Sequence, residues 1–199
     1  MSVKPLLDFI AKPESGGDYN IVWGGIKAQH RPKKPLVTMT IAQVLAWQDS
    51  IDALYPSEAA GRYQIMEDTL RGLWPEAGMT LLSLFNEPGQ DKLATTLLRR
   101  RGLVAYMEGK ISADDFANRL AMEWASLPVV TGPKKGRSYY AGDGLNKSHV
   151  SVEAFLAAVR AVKDAPKPVA VSPRPYPVTK SPWAALVAFI ASLFRKNSA

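Results

Sequence analysis

At 199 residues the chain has room for about one domain and a short appendage. Its 47% hydrophobic and 22% charged residues form a globular composition that excludes wholesale disorder. With no cysteine and only two histidines, it excludes disulfides, thiolate catalysis and cysteine-held metals, and it leaves little for an imidazole metal site.

The net charge of +7 is concentrated: residues 160–199 carry +6 (Arg160, Lys163, Lys167, Arg174, Lys180, Arg195 and Lys196 against Asp164), and the rest only +1. The basicity therefore belongs to a tail, and it is not the footprint of a nucleic-acid binder. The N-terminal stretch has a short apolar run broken by Asp8 and no small-residue cleavage site. It reads as lacking a secretory signal, so the chain is expected to stay in the cytoplasm until something releases it.

In chain order, residues 4–12 predict a short helix with Pro5 in its first turn, ended by Pro13 and Gly16-Gly17. Residues 19–39 hold two β-prone pieces, Tyr19–Trp23 and Leu36–Met39, around a Gly/Lys/Pro loop, and predict a hairpin. Thr40 and Gln43 have capping-box spacing before the apolar stripe Ile41, Val44, Leu45, Ile51. Further helices are expected over 63–73, over 88–101 with Gly102 as a stop, after Ser112 with Phe116, Leu120, Trp124 and Leu127 buried, and over 151–163. The fold class is mainly α (α+β): a helical domain with one small hairpin over 1–163.

Residues 164–182 hold six of the fifteen prolines and read as a basic, semi-extended spacer. It leads to 183–199, where the twelve residues Trp183–Phe194 carry no charge. As a helix these span ~18 Å against ~30 Å of hydrocarbon, enough to lie in a membrane interface but not to cross it. An anionic membrane surface is the expected partner of 183–199. Docking on the body or on another subunit is the alternative.

Glu14 is the candidate acid. It sits where an apolar helix breaks before Ser15-Gly16-Gly17, a place where packing can desolvate a carboxyl while it faces a cleft, and desolvation raises a carboxyl pKa toward general-acid range. Asp18 is the runner-up carboxylate and reads as a turn residue; Asp49 and Asp52 read as solvent-facing. Trp47, Trp74 and Trp124 read as core, and His30 and His149 as exposed or structural. No phosphate-cradling glycine loop is present, so no cofactor and no metal are expected.

The run Glu14-Ser-Gly-Gly-Asp-Tyr-Asn20 with Val22-Trp-Gly-Gly25 resembles the catalytic segment of phage lysozyme-like muramidases. Together with Ala60-Gly-Arg-Tyr-Gln-Ile-Met66, Gln90-Asp91 with Arg101-Gly102, and Trp124-Ala-Ser-Leu-Pro128, in that order, it is similar to the lambda-type endolysin family of lytic transglycosylases over residues 1–163. The tail has no counterpart in the short members of that family. The resemblance implies a lysozyme-like domain that cuts the β-1,4 bond between N-acetylmuramic acid and N-acetylglucosamine in peptidoglycan glycan strands. Glu14 would be the catalytic acid and the muramic 6-hydroxyl the nucleophile, giving a 1,6-anhydro product. Where hydrolytic phage lysozymes have the Asp and Thr of a Glu–Asp–Thr set, this chain has Trp23 and Gln29, a departure that favours the one-acid route.

Ser15, Tyr63, Gln64, Tyr139 and Tyr140 are the expected substrate-binding residues. The Gln64 amide would hydrogen-bond the sugar, and the tyrosines of Gly136-Arg-Ser-Tyr-Tyr-Ala-Gly-Asp-Gly144 would stack on it or hold the carboxyl. Two alternatives stay open: hydrolysis on the same fold, and a non-catalytic wall-binding, virion-associated module. Disruption of a membrane by the tail is a third route to killing.

Overall fold

The computed structural model describes residues 2–142 and 146–164, all within the unit Met1–Pro166. The expected spacer and terminal segment lie outside the described residues. Seven α-helices are present among the described residues: α1 (Lys4–Ser15), α2 (Ile41–Asp52), α3 (Glu67–Glu76), α4 (Glu87–Arg100), α5 (Leu103–Met107), α6 (Ala113–Ala121) and α7 (Val152–Asp164).

Local chemistry sets their ends. The Thr40 hydroxyl accepts from the Gln43 amide while Gln43 Oε1 accepts from the Thr40 amide, closing the capping box that starts α2. Ser112 and Asp115 do the same for α6. Asn86 caps α4 through the Gly89 amide. α1 runs past Pro13 to Ser15 and stops at Gly16, whose φ of 65° turns the chain out of the helix.

α7 seals the core by packing on α1 and α6. Phe9 and Phe155 stack at 6.1 Å between centroids, and Tyr106 stacks on Phe116 at 5.0 Å. Leu6, Ile10, Leu93, Phe116, Leu120 and Phe155 are fully buried between these helices.

Three sequence expectations need correction. Residues 19–39 form no hairpin: they hold two 3₁₀ turns, Ala28–His30 and Leu36–Thr38, and residue 22 pairs instead with Ala60 in an isolated bridge. Pro32 and Pro35 have no amide to donate to a ladder, and the turn after Pro35 drops Leu36 and Met39 into the core. The helix expected from Tyr63 begins only at Glu67, because Ala60 and Ile65 bridge across a tight turn, each amide donating to the other's carbonyl. α6 ends at Ala121, so Trp124 and Leu127 are buried from the loop that follows it.

Candidate active site

Glu14 lies in the last turn of α1 and lines a cleft of about 600 Å³, within the size range of ligand sites. Its carboxylate is held from the loop after α6. Ser126 Oγ donates to Glu14 Oε1 at 2.5 Å. Ser126 is only 7% exposed, and its carbonyl accepts from the His149 amide at 2.9 Å, which ties the segment before α7 to the same point. Burial pushes the Glu14 carboxyl above its ordinary value of 4.5; the donors of Ser126 and the neighbouring His149 pull the other way and lose. A half-buried carboxyl with a raised pKa can carry a proton at a pH where an exposed one would have lost it.

Gln64 shares the cleft with Glu14 and is the one non-glycine residue with positive φ (48°) among the described residues. Its Nε2 donates to the Gly61 carbonyl at 2.9 Å. The turn that carries it is clamped from three sides. From α2, buried Gln48 donates to the carbonyls of Glu58 and Ile65. From α4, Gln90 Oε1 accepts the Arg62 amide at 2.8 Å, and Asp91 accepts the Tyr63 hydroxyl at 2.6 Å. From the loop after α6, Trp124 Nε1 donates to the Tyr63 carbonyl at 3.2 Å.

Gly61 makes the clamp possible. Its φ is +73°, and a Cβ there would lie 2.3 Å from Gln90 Oε1 and 2.9 Å from the Phe85 ring. Pairing of the 21–23 segment with 59–61, through Trp23 N–H to Ala59 and Gly61 N–H to Ile21, sets Trp23 on the wall of the cleft that Trp124 also lines.

Not every expected residue reaches the cleft. Tyr140 does, with its hydroxyl on the Met122 carbonyl at 2.8 Å. Tyr139 does not: it packs edge-on against Tyr140 and takes Lys134 Nζ on its carbonyl. Ser15 is turned inward, its hydroxyl donating to Ala11 and accepting from Gly17, so it caps the helix and does not line the cleft. Tyr63 is 1% exposed and serves as a buried strut on Asp91. Tyr19 shares that carboxylate at 2.9 Å, and burial together with Asp91 pushes its hydroxyl up to about 12. Asp18 closes a turn onto the Asn20 amide.

Sequence reasoning missed Ser126 and Glu123. Ser126 stood inside a quoted motif, but nothing local pointed it at a residue 112 positions away. Glu123 brings a second carboxylate to the cleft, where Arg101 Nε neutralises it at 2.7 Å. Among the described residues no cluster of His, Asp or Glu could hold a metal ion.

The model of a family described as Endolysin matches residues 13–153. No curated protein and no solved structure matches the chain.

Proposed function

The chain belongs to the endolysin family and is thereby a peptidoglycan-cleaving enzyme; from that premise we propose that it is a lytic transglycosylase whose only proton-transfer residue is Glu14. The observation that carries this reading is the pairing pattern of the two cleft carboxylates. Glu14 is desolvated and takes a hydrogen bond from the neutral Ser126 hydroxyl, whereas Glu123 is paired with Arg101. Burial favours the protonated form of the first, while the second is already engaged in an ion pair.

In the first half-reaction protonated Glu14 gives its proton to the glycosidic oxygen as the C1–O bond of N-acetylmuramic acid breaks, and the N-acetylglucosamine end departs as an alcohol. The positive charge that develops at C1 is met by the glutamate just formed. In the second half, that glutamate takes the proton of the muramic 6-hydroxyl while its oxygen bonds to C1. The 1,6-anhydro ring closes, and Glu14 is protonated again. No water is consumed, so one carboxyl suffices where hydrolases use two. Gln64 and Tyr140 would orient the sugar from the turn and loop opposite, and Trp23 and Trp124 would wall it.

Hydrolysis is the second reading, favoured by the presence of Glu123 in the same cleft. Mass spectrometry of muropeptides released from purified wall separates the two. Anhydro-muropeptides, one water lighter than reducing ends, support the transglycosylase, and reducing ends alone overturn it.

Outside the described residues, the composition of 164–199 supports a separate role. We infer that the enzyme waits in the cytoplasm until its release to the periplasm, and that 183–199 rests on an anionic membrane surface. Deleting 183–199 is then expected to slow lysis of whole cells and to leave digestion of purified wall unchanged; equal loss on both overturns the membrane role.

A further inference from the structure

A second depression, larger than the cleft at about 710 Å³, shares none of the cleft's lining residues. Its floor is apolar, made by Trp47 and Ile51 of α2 with Met39 just before the helix and Leu54 just after it. Its rim is the loop that replaced the expected hairpin, bearing Arg31, Lys33 and Lys34. Trp47 Nε1 donates to the His30 carbonyl at 2.8 Å and Lys34 Nζ to Gln43 Oε1 at 3.0 Å, so the loop is fastened to α2 and the groove is preformed.

The electrostatics of this groove are one-sided. From Tyr19 to Gln48 the sequence contains no acid at all and four bases: Lys27, Arg31, Lys33 and Lys34. None of the four enters an ion pair with a described acid, while Lys4, Arg62, Arg71, Arg100, Arg101 and Lys110 each do. Because residues 1–159 total only +1, the body outside this patch is net negative. An uncompensated cationic rim over an apolar floor suits an extended ligand that carries both carboxylates and small apolar side chains.

The groove also adjoins the cleft through a short aromatic ridge. Trp23 of the cleft wall meets Tyr55 edge-on at 6.5 Å between centroids. Tyr55 in turn meets His30 of the groove at 5.7 Å, with its hydroxyl 2.7 Å from His30 Nδ1. A branch of four or five extended residues reaches roughly 13–17 Å, enough to cross that ridge from a strand lying in the cleft.

We propose that this groove binds the acidic peptide branch of the wall strand whose glycan occupies the cleft, so that the enzyme prefers strands with their peptides attached. This rests on the reading of the cleft as the site of glycan cleavage. Arg31, Lys33 and Lys34 attract the branch's carboxylates, and Trp47 with Leu54 takes its small side chains. These residues determine specificity and touch no reacting atom.

The test compares the full-length chain with its Arg31→Gln/Lys33→Gln/Lys34→Gln variant on soluble glycan strands, either with peptides intact or stripped by an amidase. For three exposed charges the expected loss on peptide-bearing strands is about tenfold in kcat/KM, carried by KM, with cleavage of stripped strands unchanged. Equal loss on both strands, or loss on neither, overturns the proposal. So does loss of binding to vesicles of equal parts phosphatidylcholine and phosphatidylglycerol with peptide preference intact, which would make the patch a membrane contact. The same three substitutions placed in Glu14→Gln protein keep the question separate from the catalytic reading. Sedimentation with peptide-bearing strands should fall, and with stripped strands should not, whether or not Glu14 proves to be the acid.

Discussion

The Ser126 hydroxyl and the Glu14 carboxylate meet at 2.5 Å across 112 residues of sequence, and this contact joins the end of α1 to the loop after α6. Ser126 is buried, so its hydroxyl has few other partners, and the bond selects one rotamer of a side chain that would otherwise sweep the cleft mouth. A proton donor must be held within hydrogen-bond reach of the leaving oxygen, and here a neutral partner holds it without fixing it in the ionised form.

Replacing Glu14 by Gln keeps the shape and the acceptor for Ser126 but removes the transferable proton. Wall-digesting activity is expected to fall about a thousandfold or more, read as release of soluble muropeptides with an unchanged circular dichroism spectrum.

The same substitution has a pH-dependent effect on stability. The folded pKa of Glu14 lies above the unfolded value, so the folded state binds the extra proton. Its contribution is fully present below about 4.5 and is lost as pH rises through the folded pKa. Glu14→Gln is therefore expected to raise Tm by about 2–4 °C at neutral pH and by nothing below pH ~4. Thermal melts at the two pH values check the sign.

Ser126→Ala removes a bond that favours the ionised carboxylate, so the Glu14 pKa is expected to rise further. The alkaline limb of kcat/KM should then move to higher pH, while the plateau falls about tenfold from lost positioning. Ser126→Thr, which keeps the hydroxyl, should restore the limb. A pH–rate profile distinguishes this from simple loss of fold, which lowers the curve without moving it.

Glu123→Gln separates the one-acid route from the two-acid one. With Glu14 acting alone, the variant should keep its rate within a few-fold, and its product should remain the anhydro form. A drop of about a hundredfold or more would identify Glu123 as the base that activates water.

The Gly61 turn should resist any side chain. Gly61→Ala meets both a positive φ and Gln90 Oε1 at 2.3 Å, and the expected cost is about 2–4 kcal/mol in denaturant unfolding. Gln90→Ala strands the Arg62 amide and two carbonyls, those of Tyr19 and Phe85, with a similar loss. KM should rise with it, because Gln64 is held through that clamp.

Local signals wrote much of the fold. Caps at Thr40 and Ser112 and the 3.6-residue apolar stripe of α2 are properties of neighbouring residues, and they were legible as such. The hairpin expectation at 19–39 failed because β-propensity there competes with two prolines and with a pairing to Ala60 nearly forty positions on. Tyr63 and Ser15 belong to motifs around the site, yet their hydroxyls are consumed by Asp91 and Ala11. A motif places residues near chemistry without saying which way each side chain turns.

Residue order alone determined that this is a mostly helical body carrying one acid at a helix break, with its excess charge in the tail. Tertiary structure decided what that acid touches: Ser126 and Gln64 come from distant loops, Glu123 reaches the cleft already paired with Arg101, and three cations outside any ion pair with a described acid line the groove that holds Trp47. The reason is the range of the forces. Capping and periodicity act within a turn or two of chain, whereas desolvation and charge pairing depend on which segments the core brings together.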